Sequence, residues 1–292
     1  MKILVTGSTG FIGRRLVSHL REQYPKSSIA GLCRKNCDLN DAKQTKEAII
    51  AFNPDRIFHL AGLSRVRDDW GLDRYFTGNF LPTVNVLRGL DSVTKDFQLF
   101  FSSTVQVYGD SEQMVSEKDL PHPRHYYGFS KYLSEEALRD FSLKHGNARV
   151  VIGRLYNCIG PGQPLGFAVS DWCKKLRELA DGAPLKVGTL NGIRSFVDVR
   201  DTVQTLPALL EVSTEPFSVY NIGAEVPLKM EEVLNQLVGI SGKSVQIETV
   251  DSETTNQVAG LKVSTAKLKA TLPSLSFRPL SDTLRDMYDT VS

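Results

Sequence analysis

The chain has 292 residues, 41% of them hydrophobic and 23% charged, with 35 Lys+Arg against 33 Asp+Glu and a formal net charge of +2. Such a composition excludes a disordered chain and a fibrous repeat, and the length allows one large domain or two ordinary ones. A charge so nearly balanced, with no run of five like charges, leaves no electrostatic footprint for nucleic acid or an anionic membrane, so a small-molecule partner is expected.

The first predicted strand, Ile3–Thr6, runs straight into Thr6-Gly-Ser-Thr-Gly-Phe-Ile-Gly13, which opens a helix through Leu16 and Leu20. Gly7, Gly10 and Gly13 at a strand-to-helix turn let the backbone approach a pyrophosphate, which meets the unpaired N–H groups of the helix N-terminus. A bound dinucleotide is the expectation. After the second strand, Ser28–Leu32, an NAD site usually carries an acid for the ribose 2′-hydroxyl, whereas this chain has Cys33, Arg34 and Lys35. A carboxylate there would repel a 2′-phosphate and a guanidinium would hold it with a forked pair of hydrogen bonds. The position of Arg34 therefore favours NADP(H), while still admitting NAD(H). Asp38-Leu39 follow so soon that a truncated or absent strand is expected between them and the second strand.

The third strand, Arg56–Leu60, leads into His59-Leu-Ala-Gly62, and the fourth, Leu99–Ser103, ends in three hydroxyls, Ser102, Ser103 and Thr104. Ligands of open α/β sheets bind beyond the carboxyl ends of the strands, which is where these hydroxyls stand. Tyr127 has Lys131 four residues on, one helical turn away, and an ammonium there would lower the phenol's pKa toward the range of useful proton transfer. Tyr126, with Ser130 at the same spacing, is the weaker candidate. A fifth strand, Arg149–Gly153, completes an alternation of strands and helices whose strands are apolar on both faces. The fold class is α/β, a doubly wound parallel sheet of the Rossmann kind, with a smaller mixed α/β substrate lobe. Gly160-Pro161-Gly162-Gln163-Pro164 breaks that rhythm, and shorter helices follow, with isolated strands such as Ser244–Glu248. Residues 1–160 and a return segment of about 194–229 are assigned to a dinucleotide-binding domain, and about 161–193 and 230–292 to the lobe.

Four cysteines, Cys33, Cys37, Cys158 and Cys173, without a Cys-x-x-Cys pair or neighbouring histidines, fit a reducing compartment and no metal site. Only Ile3, Leu4 and Val5 separate Met1-Lys2 from Thr6, too few for a signal peptide, and no stretch is apolar enough to span a membrane; a cytoplasmic location is expected. His19, His122 and His145 read as surface or packing residues.

Together these residues resemble the extended branch of the short-chain dehydrogenase/reductase family, whose members act on nucleotide sugars. The glycine loop, Asp38-Leu39, His59-Leu-Ala-Gly62, Asn79 before Thr83-Val-Asn-Val-Leu87, Thr104 ahead of Tyr108-Gly109, and Tyr127 with Lys131 all match its motifs. The resemblance implies Thr104, Tyr127 and Lys131 as catalytic residues. It implies a cofactor site of Gly7, Gly10, Phe11, Ile12, Gly13, Arg34, Asp38, Leu39, Leu60, Ala61, Gly62, Asn79, Tyr127 and Lys131. It further implies a homodimer formed through the helices that hold Asn79 and Tyr127.

The stretches His59–Trp70, Asn157–Phe167, Lys186–Gly188 and Arg194–Asp201 are most similar to the branch that reduces GDP-linked 4-keto-6-deoxyhexoses. That similarity implies Asn157, Lys174 and Arg194 as nucleotide-sugar ligands. Dehydratases of the family carry an acid just past the hydroxyl, where this chain has Val105 and Gln106, and an amide cannot take the C5 proton. The stretch Asp251–Asn256 lacks the arginine that relatives place on the diphosphate. The expected activity is NADPH-dependent reduction of a nucleotide-linked 4-keto-6-deoxyhexose. The alternatives are an NDP-hexose 4-epimerase and a non-catalytic NADP(H)-binding regulatory module.

Overall fold

The computed structural model describes residues 1–67, 69–111, 113–224, 226–250 and 261–291. In chain order come β1 (Lys2–Thr6), α1 (Phe11–Gln23), β2 (Ser28–Leu32), α2 (Ala42–Phe52), β3 (Arg56–His59), α3 (Leu72–Tyr75), a π-helical turn (Phe76–Phe80) and α4 (Leu81–Leu90). Next are β4 (Phe97–Thr104), a 3₁₀ turn (Val105–Tyr108), α5 (Tyr126–Lys144), β5 (Ala148–Leu155), β6 (Asn157–Ile159) and α6 (Ala168–Glu178). The remainder comprises β7 (Pro184–Val187), β8 (Ile193–Arg194), β9 (Phe196–Asp198), α7 (Val199–Val212), β10 (Phe217–Ile222), β11 (Leu228–Lys229), α8 (Met230–Ser241), β12 (Gln246–Thr249), α9 (Ala266–Thr271) and α10 (Leu280–Thr290).

Six strands form one sheet in the order β10-β5-β4-β3-β1-β2, and every pairing in it is parallel. Adjacent residues of each strand face opposite sides, and both sides are apolar. Leu4, Ile57, Leu99, Phe101, Val150 and Ile152 pack on one side with Ile49 of α2, Leu90 of α4 and Leu138 of α5. Ile3, Val5, Phe58, Phe100 and Val151 pack on the other with Leu16 of α1, Leu206 of α7 and Leu268 of α9. Two buried faces explain why the strands read as continuous apolar runs, as parallel sheets require.

The segment from Cys33 to Asp41 holds turns and no strand, so β2 is the sheet's edge, in line with the short spacing to Asp38. Asp41 caps α2 by accepting from the backbone N–H groups of Lys43 and Gln44. β1 runs outward to β2 on one side and has β3 on the other, which makes its carboxyl end the point where the strand order reverses. Clefts for ligands open at such a point. A third apolar cluster, built from Trp172 and Cys173 of α6, Leu185 of β7, Leu234 of α8 and Leu284 of α10, forms the core beyond the sheet.

Candidate active site

At the switch point the chain comes together so tightly that side chains are excluded. Gly7 has φ +68°, and a Cβ on it would stand 2.8 Å from the Ala61 backbone nitrogen; a Cβ on Gly13 would stand 2.1 Å from the Gly7 carbonyl oxygen. The N-cap of α1 is Gly10, so no side chain occupies the helix's N-terminal N–H groups, and its first turn carries no acid. A cradle of this shape, walled by backbone and open at a positive helix end, fits a pyrophosphate. Phe11 and Ile12 pack against the core from the first turn of the helix, as does Leu60 at the end of β3.

Past β2, Arg34 and Lys35 are exposed, and the turn that carries them is held by Asn36, whose Oδ1 accepts from Cys33 N at 2.8 Å and whose Nδ2 donates to the Gly31 carbonyl at 2.9 Å. No carboxylate stands at the end of β2 itself. Asp38 accepts from the Asn40 backbone at 3.0 Å, while Leu39 turns inward into the core.

Thr104 ends β4, and Tyr127 and Lys131 lie one turn apart on α5, all three buried. Thr104 accepts from the backbone N–H of Gln106 at 3.2 Å, which anchors the 3₁₀ turn, and the carbonyl of Gln106 lies so close to α5 that a Cβ on Gly128 would stand 2.6 Å from it. That close approach brings the Thr104 hydroxyl to the Tyr127 phenol.

Burial pushes the phenol up to about 12, the hydrogen bond from Thr104 pulling it down and Tyr75 adding to the rise. A depressed phenol was the expectation from the Tyr127–Lys131 spacing, and the structure corrects it: Lys131 Nζ donates to the Ser102 carbonyl at 2.8 Å, its charge taken up by the end of β4. Burial lowers Lys131 itself to about 8, with Glu135 opposing. Gly62 borders this ammonium, since a Cβ there would stand 3.2 Å from Nζ and 2.7 Å from Asn79 Oδ1.

Asn79 sits in the π turn, nearly inaccessible. Its Oδ1 accepts from Leu63 N at 2.6 Å, its Nδ2 donates to Ser130 Oγ at 2.9 Å, and Ser130 donates to the Tyr127 carbonyl at 2.8 Å. Behind it, Thr83 donates to the Asn79 carbonyl at 2.9 Å, which leaves Thr83 Oγ1 to accept from His59 Nε2 at 3.1 Å. His59 Nδ1 then accepts from Thr6 at 2.7 Å, and Thr6 accepts from Ala61 N at 3.2 Å. This chain fixes the imidazole as the Nε2–H tautomer, and burial, with Lys131 nearby, lowers its pKa to about 3. His59, Thr83 and Ser130 are thus parts of the site's frame. His59 and Thr83 stand in stretches that match the family's motifs and Ser130 was noted only for its spacing from Tyr126, while the bonds that join them to the site could not be read along the chain.

Over the cleft, Tyr75 pins the loop after β3 by donating to the Arg65 carbonyl and accepting from Arg67 N, both at 2.9 Å, with its ring 6.2 Å from that of Tyr127. Three arginines reach across to the loop of residues 160–167: Arg14 donates to the Gly162 carbonyl, Arg15 to that of Pro161 and Arg65 to that of Leu165. Asn157 Nδ2 donates to the carbonyl of Ser195, the residue after Arg194, at 3.1 Å, and Arg194 Nη1 donates to the Ile193 carbonyl at 2.8 Å. Burial lowers the Arg194 guanidinium, opposed by Asp110. Lys174 is turned to Glu178 of its own helix at 3.7 Å. The stretch Asp251–Asn256 lies outside the described residues.

A doubly wound sheet with a glycine cradle at its switch point and a Thr, Tyr, Lys set at the carboxyl end of β4 defines a dinucleotide-dependent oxidoreductase. The model of the NAD dependent epimerase/dehydratase family matches residues 3–223, and the chain belongs to that family. It is 27% identical to a GDP-6-deoxy-D-talose 4-dehydrogenase of Aggregatibacter actinomycetemcomitans, over 85% of this chain and 83% of the relative. It is also 27% identical to a GDP-6-deoxy-D-mannose reductase of Pseudomonas aeruginosa, over 84% and 82%. A UDP-glucose 4-epimerase of Yersinia enterocolitica is 26% identical over 99% and 96%. Among solved structures, RMD from Pseudomonas aeruginosa complexed with NADPH superposes with a TM-score of 0.86 at 25% identity, covering 99% of this chain and 98% of that one.

Proposed function

We propose that the protein is an NADPH-dependent reductase of a nucleotide-linked 4-keto-6-deoxyhexose, of the type that converts GDP-4-keto-6-deoxymannose to GDP-rhamnose. The observation that carries this reading is the joining of Thr104, Tyr127 and Lys131 at the carboxyl end of β4, with Val105 and Gln106 where an eliminating enzyme needs a base. Two relatives, by name a GDP-6-deoxy-D-talose 4-dehydrogenase and a GDP-6-deoxy-D-mannose reductase, support this reading.

Gly7, Gly10 and Gly13 would hold the cofactor's pyrophosphate and Arg34 its 2′-phosphate, and when bound the cofactor would supply a hydride. Tyr127 supplies the proton. A phenol at about 12 is fully protonated at neutral pH, and the alkoxide that forms at the sugar's C4 oxygen is a far stronger base, so the transfer runs downhill. Thr104 hydrogen-bonds the same oxygen, and Lys131 holds the nicotinamide ribose. Asn157 contacts the nucleotide sugar, and Arg194, a half-buried guanidinium, pairs with its diphosphate. Lys174 has the weakest claim to that role, because Glu178 already engages it.

The division into a dinucleotide-binding domain and a lobe for the sugar belongs to this reading. So does a homodimer through the helices that carry Asn79 and Tyr127, where Phe76, Tyr126 and Phe129 are exposed, and it is tested by sedimentation. Four free thiols accord with a reducing cytoplasm, and among the described residues no helix is long and apolar enough to cross a membrane.

The test is cofactor consumption with NADPH or NADH and GDP-4-keto-6-deoxymannose generated in place. Stoichiometric NADPH oxidation with GDP-rhamnose formed is the expected result. Interconversion of sugars without net oxidation would replace the reading with 4-epimerisation. Binding of NADPH without turnover would replace it with a silent regulatory module.

A further inference from the structure

Helix α5 carries Tyr127, Lys131 and Glu135 at successive turns of one face, and the third of these is as buried as the other two: Glu135 is 0% exposed. Its carboxylate receives Arg154 of β5 in a fork, Nε at 3.1 and 3.2 Å and Nη2 at 2.7 Å, and it accepts from the Ser103 hydroxyl. The Arg154 guanidinium lies 4.6 Å over the ring of Tyr108, which donates to Asn221 at 2.8 Å. Replacing a buried ion pair by apolar side chains of similar volume is often neutral or stabilising, because such a pair seldom repays its desolvation. The pair therefore needs another use.

That use lies one turn away. Consecutive residues of β4 are bonded to consecutive turns of α5, Ser102 through its carbonyl to Lys131 and Ser103 through its hydroxyl to Glu135. The next residue of the strand is Thr104. The groups facing Lys131 are His59 of β3, held neutral, the Phe101 ring of β4 at 4.8 Å, Gly62 and Asn79 at the cleft, the protonated Tyr127, and Glu135, with Arg154 beyond it. Among the described residues Glu135 is the carboxylate that acts on this ammonium.

We propose that Glu135 is a positioning residue of the reaction: fixed by Arg154 and Ser103, its carboxylate stands one turn from the Lys131 ammonium on the same buried face of α5 and ties the end of β4, with Thr104, to the helix that presents Tyr127. The inference rests on the reading of Lys131 as a member of the proton-transfer set. Its direct measurement needs no turnover.

In protein labelled with ¹³Cε-lysine, the Lys131 signal is identified by its loss in Lys131→Arg and titrated in wild type and in Glu135→Gln. The wild-type midpoint is expected near 8. Removing an opposite charge one turn away lowers it by about one unit. A purely structural role gives the opposite sign, because a loosened site admits water and lets the lysine rise toward its free value. A midpoint unchanged or raised in Glu135→Gln overturns the proposal.

Should that variant fail to fold, Glu135→Leu/Arg154→Met keeps the packing while removing both charges. Loss of the nearer carboxylate is again expected to lower the midpoint, and no change overturns the proposal. For the reductase, the alkaline limb of kcat/KM moves down with the titration; a limb that stays in place while the midpoint moves removes the catalytic role. A wild type that reduces no keto-sugar sinks the function proposed above and leaves the titration to decide Glu135.

Discussion

Lys131 Nζ donates to the carbonyl oxygen of Ser102 at 2.8 Å, so the ammonium binds the end of β4 while the phenol one turn earlier relies on Thr104. With Tyr127 pushed up to about 12 and Lys131 down to about 8, the first group to change charge in the alkaline range is the lysine. NADPH affinity, followed by cofactor fluorescence, is expected to weaken as pH rises through about 8. Constant affinity up to pH 10 would show that the ammonium does not hold the cofactor.

Tyr127→Phe removes the proposed proton donor and leaves the ring in place among Tyr75 and Thr104. Turnover is expected to fall by about 10²–10⁴-fold while NADPH binding changes little, since general acid catalysis commonly contributes that much. Steady-state kinetics and a fluorescence titration on the same preparation measure both; a retained rate refutes the mechanism.

His59 is buried neutral with a pKa lowered to about 3. Between that value and the unfolded value near 6.5, the unfolded chain binds a proton that the folded chain refuses, so stability falls as pH drops through this window. The share of His59 is about 3 kcal/mol by pH 4. Urea unfolding at several pH values is expected to show a shallower acid slope in His59→Gln than in wild type, and parallel slopes would contradict the neutral imidazole.

Gly13→Ala places a methyl group where the Gly7 carbonyl stands, at 2.1 Å. Neither backbone can yield without opening the cradle, so loss of NADPH binding together with a lowered melting temperature is expected in calorimetry. Undiminished binding would place the pyrophosphate elsewhere.

Arg34→Ser tests cofactor choice. Loss of a charge-assisted hydrogen bond of about 1.5–3 kcal/mol raises the KM for NADPH about tenfold or more and leaves that for NADH unchanged. Equal effects on both cofactors would make Arg34 a solvated loop charge.

Much of the site could be read along the chain, because its signals are local. Thr6 to Gly13 needs only a strand followed by a helix, and Tyr127 with Lys131 needs only one helical turn. The missing acid after β2 and the amide at Gln106 are likewise visible residue by residue. The alternating strands, apolar on both faces, announced a covered parallel sheet for the same reason.

What only the tertiary structure decided depends on burial and on partners far apart in sequence. Of three hydroxyls in a row the resemblance already singled out Thr104, but how β4 lies against α5 decided the partners: Ser102 offers its carbonyl to Lys131, Ser103 turns to Glu135, and Thr104 meets the phenol. The phenol's pKa rises where the spacing alone argued for a fall, because desolvation outweighs the hydrogen bond from Thr104 and the lysine's charge is engaged by the Ser102 carbonyl. Arg154, hidden in an apolar strand, had no visible partner until Glu135 came to it across the fold. Local periodicity dictates elements and their faces, whereas the charge state of a buried group is set by the neighbours that packing brings to it.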